Sequence, residues 1–145
     1  FQTLDELDAE TVSAFAPDLF GNLATMHDNS LAHGDLREEN VLVAPPRGSD
    51  RPTDACDPAD CTLYFIDATN VDGEAVADAR AYDVACALGA LAPHIGARDA
   101  VGSALSAYSP ADLLDAQEFL DFVNLRPDHS FDAAAVKGEI EKAAT

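Results

Sequence analysis

Residues 33–43 read HGDLREENVLV, and this stretch decides the fold. It places Asp35 and Asn40 five residues apart on a loop, between a helical pattern that ends near residue 30 and an apolar run that begins at Val41. A carboxylate and an amide held by one turn can orient a hydroxyl group and bind a hard cation, because Mg²⁺ prefers oxygen ligands. The loop is therefore the first candidate for a site that carries chemistry.

A second short apolar run covers residues 62–66 and ends directly at Asp67. The intervening residues 44–61 are rich in Pro, Asp, Gly and Arg, a composition typical of an exposed loop between two strands. If the two runs pair as a β-hairpin, the loop before the first strand and the residue after the second lie at the same end. We therefore expect Asp35, Asn40 and Asp67 to converge; the plainer alternative is a hairpin with a long tip and no chemistry.

The residues before this loop predict an amphipathic helix. Thr3 and Glu6 form a capping-box pattern at its expected start. Pro17 leaves two alternatives open, one kinked helix or two helices that meet near Ala16. The predicted core face repeats at three- and four-residue spacing and comprises Val12, Phe15, Leu19, Leu23 and Met26.

From residue 79 onward the sequence predicts helices only. Ser and Pro suit the N-cap and the first position of a helix, so Ser109 and Pro110 mark a helix start. The expected helices cover residues 81–92, ending before Pro93, then residues 98–108, a segment opened by Ser109 and Pro110, and residues 131–144. We expect a single domain over residues 1–145, an α+β fold that is mostly helical, with a small β-hairpin carrying the functional loops.

The charge balance is strongly acidic, with 27 acidic against 8 basic residues and a net charge of −19. This balance disfavours nucleic acid as a partner, because binding to phosphate backbones needs clustered Lys and Arg. The acidic surface is either a protein-docking face or an adaptation to a high-salt cytoplasm. We favour the halophilic interpretation, because the acidic residues are spread along the whole chain.

Two further features concern location and the cysteines. The chain has no run of 18 apolar residues and no visible signal peptide, so we expect a cytoplasmic protein that does not contact a membrane. Its three cysteines are an odd number, which argues against a disulfide framework. We expect free thiols at Cys56 and Cys61, with a metal site or a disulfide as the alternative, and Cys86 in the core.

The stretch from His33 to Asn40 resembles the catalytic loop of the protein-kinase superfamily, whose signature is His-x-Asp followed by four residues and an Asn. With glycine in second place, it is most similar to the RIO-type and aminoglycoside-phosphotransferase-like branches. Phe65-Ile66-Asp67 resembles their metal-binding motif, although Ala68 departs from the residues usual after the aspartate. Residues 80–85 resemble the start of the buried helix that follows this motif.

The resemblance implies a role for each matching residue. Asp35 would orient or deprotonate the acceptor hydroxyl, and Arg37 would neutralise charge that develops near the γ-phosphate. Asn40 and Asp67 would hold Mg²⁺ (or Mn²⁺) on the phosphates of ATP. The implied function is an ATP-dependent phosphotransferase that uses magnesium, a RIO-like serine/threonine kinase or a small-molecule kinase. The acceptor stays open, since a protein, a small molecule or the chain itself could supply the hydroxyl.

Three other positions complete the resemblance. Met26-His27 stands where those branches carry a Leu-His pair at the end of the preceding helix. His33 would pack the catalytic loop, and Asp83 would brace that loop by accepting hydrogen bonds from its backbone. Only fifteen residues separate Asp67 from Asp83, which is too few for a long activation segment. Peptide docking of the eukaryotic kind is therefore not expected.

Nothing in residues 1–145 resembles the Gly-rich loop, the strand lysine or the partner glutamate that anchor ATP in this superfamily. These elements belong to an N-lobe that would precede Phe1, so we expect the isolated chain to be inactive and the longer protein to be a kinase. A second hypothesis is a catalytically inactive kinase-like module used for binding or scaffolding. A third treats Asp35, Asn40 and Asp67 as solvated polar residues of a halophilic helical domain.

Overall fold

A computed structural model of the chain describes residues 2–3, 6–29, 33, 36, 40–44, 62–65, 76–124 and 131–144. Within these ranges the fold is mostly helical with one small antiparallel sheet, which confirms the α+β class. The strands are β1 (Gln2–Thr3), β2 (Val41–Ala44) and β3 (Thr62–Phe65). The helices are α1 (Ala9–Asp28), α2 (Val76–Ile95), α3 (Ala97–Ala104), α4 (Pro110–Gln117), α5 (Leu120–Asn124) and α6 (Ala133–Ala144).

The sheet has the strand order β1-β2-β3, and both pairs are antiparallel. The predicted pairing of the two apolar runs is confirmed, with Val41 opposite Phe65 and Val43 opposite Leu63. Val41, Val43 and Leu63 are buried, because alternate side chains of a strand face the helices. The short edge strand β1 was not predicted from the sequence.

Helix α1 begins later than the capping-box pattern suggested. Its N-cap is Asp8, whose carboxylate accepts a hydrogen bond from the Thr11 backbone N–H at 2.8 Å. The prediction of a helix start at Thr3 and Glu6 is wrong, because Thr3 is paired with β2 in an extended conformation. The Thr3 hydroxyl still donates to the Glu6 carboxylate at 2.8 Å, but both residues precede the helix.

Pro17 does not divide α1, which continues from Ala9 to Asp28 as one helix. The missing N–H of Pro17 deprives the Ser13 carbonyl of its helical donor, and both residues are exposed, where water can replace that donor. The predicted core face is confirmed, since Val12, Phe15, Leu19 and Leu23 are buried and Met26 is half-buried.

Helix α2 is the centre of the molecule and contacts α1, α3, α4, α5 and α6. It was predicted over residues 81–92, but it begins at Val76, contains Pro93 in its last turn and ends at Ile95, directly before Gly96. Gly96 has φ +89°, which suits glycine, and its N–H donates to the Ala92 carbonyl at 2.9 Å. At Gly89 a Cβ would lie 2.8 Å from the ring of Phe131, so this glycine permits close packing of that ring.

Helices α3, α4 and α6 lie where the sequence predicted helices, whereas α5 was not predicted as a separate helix. Ser109 caps α4 through a reciprocal capping box with Asp112, and Pro110 occupies the first turn, as predicted. Cys86 is buried in the core, also as predicted. Across the described ranges, no helix has both the length and the apolarity that a membrane span needs.

Candidate functional site

A fully buried carboxylate anchors the predicted catalytic loop to the central helix. Asp83 lies on α2 among apolar residues, and its Oδ2 accepts the backbone N–H of His33 at 2.7 Å. A hydrogen bond between a carboxylate and a backbone N–H is charge-assisted and therefore stronger than one between neutral groups. The residue that starts the His-x-Asp stretch is thus held by a side chain fifty positions away in sequence.

His27, in the last turn of α1, bridges Asp83 to a third element. Its Nε2 lies 3.0 Å from Asp83 Oδ2, and its Nδ1 lies 2.8 Å from the Tyr108 hydroxyl. His27 is 3% exposed and Tyr108 is 6% exposed, so these contacts are shielded from water. Because a carboxylate only accepts hydrogen bonds, Nε2 carries the proton that lies between His27 and Asp83. The four residues Tyr108, His27, Asp83 and His33 form one chain, which we call the buried network.

Burial raises the pKa of the Tyr108 phenol above its ordinary value of 10.0. The positive charge of Arg80 opposes this shift, and the carboxylates of Asp83, Asp112 and Asp28 add to it. The hydroxyl therefore keeps its proton throughout the neutral range and remains able to act as a hydrogen-bond donor in the buried network.

This raised pKa predicts an alkaline loss of stability. Above about pH 10 the unfolded chain loses the Tyr108 proton while the folded protein retains it. The stabilisation is complete below that pH and disappears as the pH rises through the raised folded value. Urea unfolding between about pH 9 and pH 11 should show this decline, and it should be smaller in Tyr108→Phe. An equal decline in the variant would contradict the assignment.

The ring of His33 connects the start of the predicted catalytic loop to the β-hairpin. It packs against the Phe65 ring in a T-shaped arrangement with a centroid distance of 6.1 Å. His33 therefore contacts α2 through its backbone and the end of β3 through its side chain. The packing role predicted for His33 and the bracing role predicted for Asp83 both require contacts of this kind.

Asn40 lies immediately before β2 and is 2% exposed. Its neighbour Val41 pairs with Phe65, which precedes Asp67 by two residues in the sequence. Asn40 and Phe65, the described residue nearest to Asp67 in the sequence, therefore lie at the same end of the hairpin. Leu36, inside the predicted loop, is also fully buried and belongs to the main core.

Several predicted residues lie outside the described ranges. These are the predicted catalytic residues Asp35 and Arg37, the predicted metal ligand Asp67, and the loop cysteines Cys56 and Cys61. Their predicted roles therefore stay predictions. Within the described ranges no group of three or more His, Cys, Asp or Glu side chains is arranged to hold a metal ion.

The sequence did not reveal the connecting role of His27 and Tyr108. The Tyr108 ring packs edge-on against Phe20, with a centroid distance of 6.3 Å. One signal for His27 was available, since it follows Leu23 by four residues and so continues the apolar face of α1. A histidine on such a face needs buried polar partners, but the sequence does not show which residues supply them.

Comparison with known proteins gives no family for this chain. No family model matches the sequence. No curated protein matches it. No solved structure matches the fold.

Proposed function

We propose that this chain is the catalytic lobe of an ATP-dependent phosphotransferase, which transfers the γ-phosphate to an alcohol with the help of Mg²⁺. The observation that carries the proposal is the hydrogen bond from His33 N–H to the buried Asp83 carboxylate. It fixes the backbone two residues before Asp35, and a catalytic carboxylate needs such a rigid support. Within this class we favour a RIO-like or small-molecule kinase, because the Asp67-to-Asp83 connection is short.

The hairpin gives a second line of support. Asn40 precedes the strand residue that pairs with Phe65, and Asp67 follows Phe65 by two residues. An amide oxygen and a carboxylate are the donors that Mg²⁺ prefers, so Asn40 and Asp67 fit the metal by chemistry. When bound, Mg²⁺ would neutralise charge on the β- and γ-phosphates.

In the proposed reaction the acceptor hydroxyl oxygen forms a bond to the γ-phosphorus of ATP. The bond from that phosphorus to the β–γ bridging oxygen breaks, and ADP leaves with the electron pair. The proton of the acceptor passes to the Asp35 carboxylate, which also orients the hydroxyl. The Arg37 guanidinium offsets negative charge that develops on the transferred group.

The proposal requires a second lobe that holds the nucleotide. We expect the residues encoded upstream of Phe1 to contain a Gly-rich hairpin and a strand lysine. If the gene encodes neither element, the proposed activity fails and an inactive kinase-like binding module becomes the better account.

The isolated chain should bind ATP only weakly, because residues 1–145 contain no Gly-rich loop and no strand lysine of the kind that anchors ATP. We expect titration calorimetry of residues 1–145 with MgATP to show affinity weaker than the micromolar range. The longer protein, with the upstream lobe, is the matched comparison and should bind more tightly. Micromolar affinity of the isolated chain would contradict the proposal that ATP binding depends on an upstream lobe.

A further inference from the structure

Tyr108 connects a distant part of the helical domain to the loop support. It lies between α3 and α4, 81 positions from His27 in the sequence, yet its hydroxyl is 2.8 Å from the His27 Nδ1. The edge-on contact between its ring and Phe20, on α1, keeps the hydroxyl directed toward the end of that helix. The position of the Tyr108 side chain is therefore set by ring packing against Phe20 and by the hydrogen bond to His27.

The hydroxyl determines which ring nitrogen of His27 faces Asp83. If the imidazole is neutral, Nδ1 accepts from the Tyr108 O–H while Nε2–H donates to Asp83. If it is protonated, Nδ1–H donates to the phenol oxygen and Nε2–H still donates to Asp83. Both states keep the same ring orientation. Without the hydroxyl, Nδ1 loses this partner in a buried site, and a flipped ring becomes competitive.

We propose that Tyr108 is a positioning residue, which acts through His27 to hold Asp83 in the orientation that binds the His33 backbone. The link to Asp35 and phosphotransfer rests on the proposed function, whereas the link from Tyr108 to the His33 N–H does not. The first part of the proposal, the support of the His33 N–H, and the second part, the effect on catalysis, can therefore fail separately. Tyr108 touches no reacting atom in this account and acts only on the support of the loop.

Two Tyr→Phe variants test the first part, because each removes one hydroxyl and keeps the ring. Tyr108→Phe breaks the buried network, and Tyr64→Phe is the matched control on β3, where the side chain is 49% exposed. We expect amide hydrogen exchange at His33 to become about tenfold faster in Tyr108→Phe, relative to exchange at Leu88 in the middle of α2. Tyr64→Phe should leave this ratio unchanged. A His33 rate that changes only in step with Leu88 would overturn the proposal.

A second measurement begins with the unaltered chain, where the protonated nitrogen of His27 can be identified without any variant, and then compares Tyr108→Phe with it. Nitrogen-15 NMR of His27 should show Nε2 protonated, and Tyr108→Phe should shift the Nδ1 resonance or produce a second set of His27 signals. A wild-type His27 with an unprotonated Nε2 would overturn the proposal, as would His27 signals that are identical in wild type and Tyr108→Phe.

The catalytic part is tested in the longer protein. There Tyr108→Phe should lower kcat about tenfold and leave KM for ATP unchanged, because the nucleotide contacts come from other residues. If the exchange and NMR results hold but no phosphotransfer is found, the proposed function fails and the positioning role stands. If phosphotransfer occurs and kcat is unaffected by Tyr108→Phe, the positioning role in catalysis is wrong.

Discussion

Replacing Asp83 by alanine is expected to lower the free energy of unfolding by about 2–6 kcal/mol, because each of two buried donors left without its acceptor costs about 1–3 kcal/mol. The change removes the acceptor of both the His27 Nε2–H and the His33 N–H, and both donors stay buried. Since a domain of this size is stable by only about 5–15 kcal/mol, the loss is a large share of the total.

Urea unfolding of the purified chain measures this effect. Asp18→Ala is the matched control, because Asp18 is an exposed carboxylate on α1 and its loss should change stability by no more than about 0.5 kcal/mol. Asp83→Asn should fall between the two, since its amide oxygen can still accept hydrogen bonds. Equal stabilities of Asp83→Ala and Asp18→Ala would show that the buried network contributes little to folding.

The second large effect concerns activity. In the longer protein, Asp35→Asn is expected to lower kcat about 10²- to 10⁴-fold, the usual contribution of a positioned general base. The amide keeps the shape of the side chain but cannot take the proton of the acceptor. KM for ATP should stay close to the wild-type value, because the proposed nucleotide contacts are made by other residues.

Initial rates at saturating ATP measure this loss, and Asp18→Asn serves as the control for removing one carboxylate from an acidic chain. Asp35→Asn should also leave urea stability close to that of wild type, which separates a catalytic defect from a folding defect. A kcat within a few-fold of wild type would remove Asp35 from the proposed mechanism.

Local signals in the sequence were sufficient for the hairpin and for one helix start. The runs that became β2 and β3 are short, apolar and bounded by turn-forming residues, so their extended form and their pairing could be predicted. The start of α4 could also be predicted, because the N-cap Ser109 and its partner Asp112 lie within one helical turn. For α4 the deciding contact joins residues that are close in sequence. For the strands the deciding signal is a short apolar run bounded by turn-forming residues.

Two helix boundaries depended on more distant or competing contacts. Thr3 resembles a helix cap, but pairing with Leu42, which lies 39 positions further along the sequence, holds it in a strand. Pro93 looked like a helix stop, yet a proline in the last turn removes only one helical N–H donor, and Gly96 provides the actual end. Propensity is a weak prior at such positions, and tertiary contacts override it.

The candidate site likewise contains one residue whose role could be predicted from the sequence and two whose roles could not. Asp83 was predicted as a loop support from a resemblance, and the structure shows which backbone N–H it accepts. The participation of His27 and Tyr108 could not be predicted, because their hydrogen bonds join α1, α2 and the α3–α4 connection through tertiary packing alone. Hydrophobic periodicity predicts which face is buried, but it does not show which polar groups meet inside.

The most direct test of the central claim is Mg²⁺-dependent release or transfer of the γ-phosphate of ATP by the longer protein. We predict turnover that requires the metal and is lost in both Asp35→Asn and Asp67→Asn, while Asp18→Asn keeps wild-type activity. Turnover that survives both the Asp35 and the Asp67 substitution would contradict the assignment of this chain as a phosphotransferase catalytic lobe.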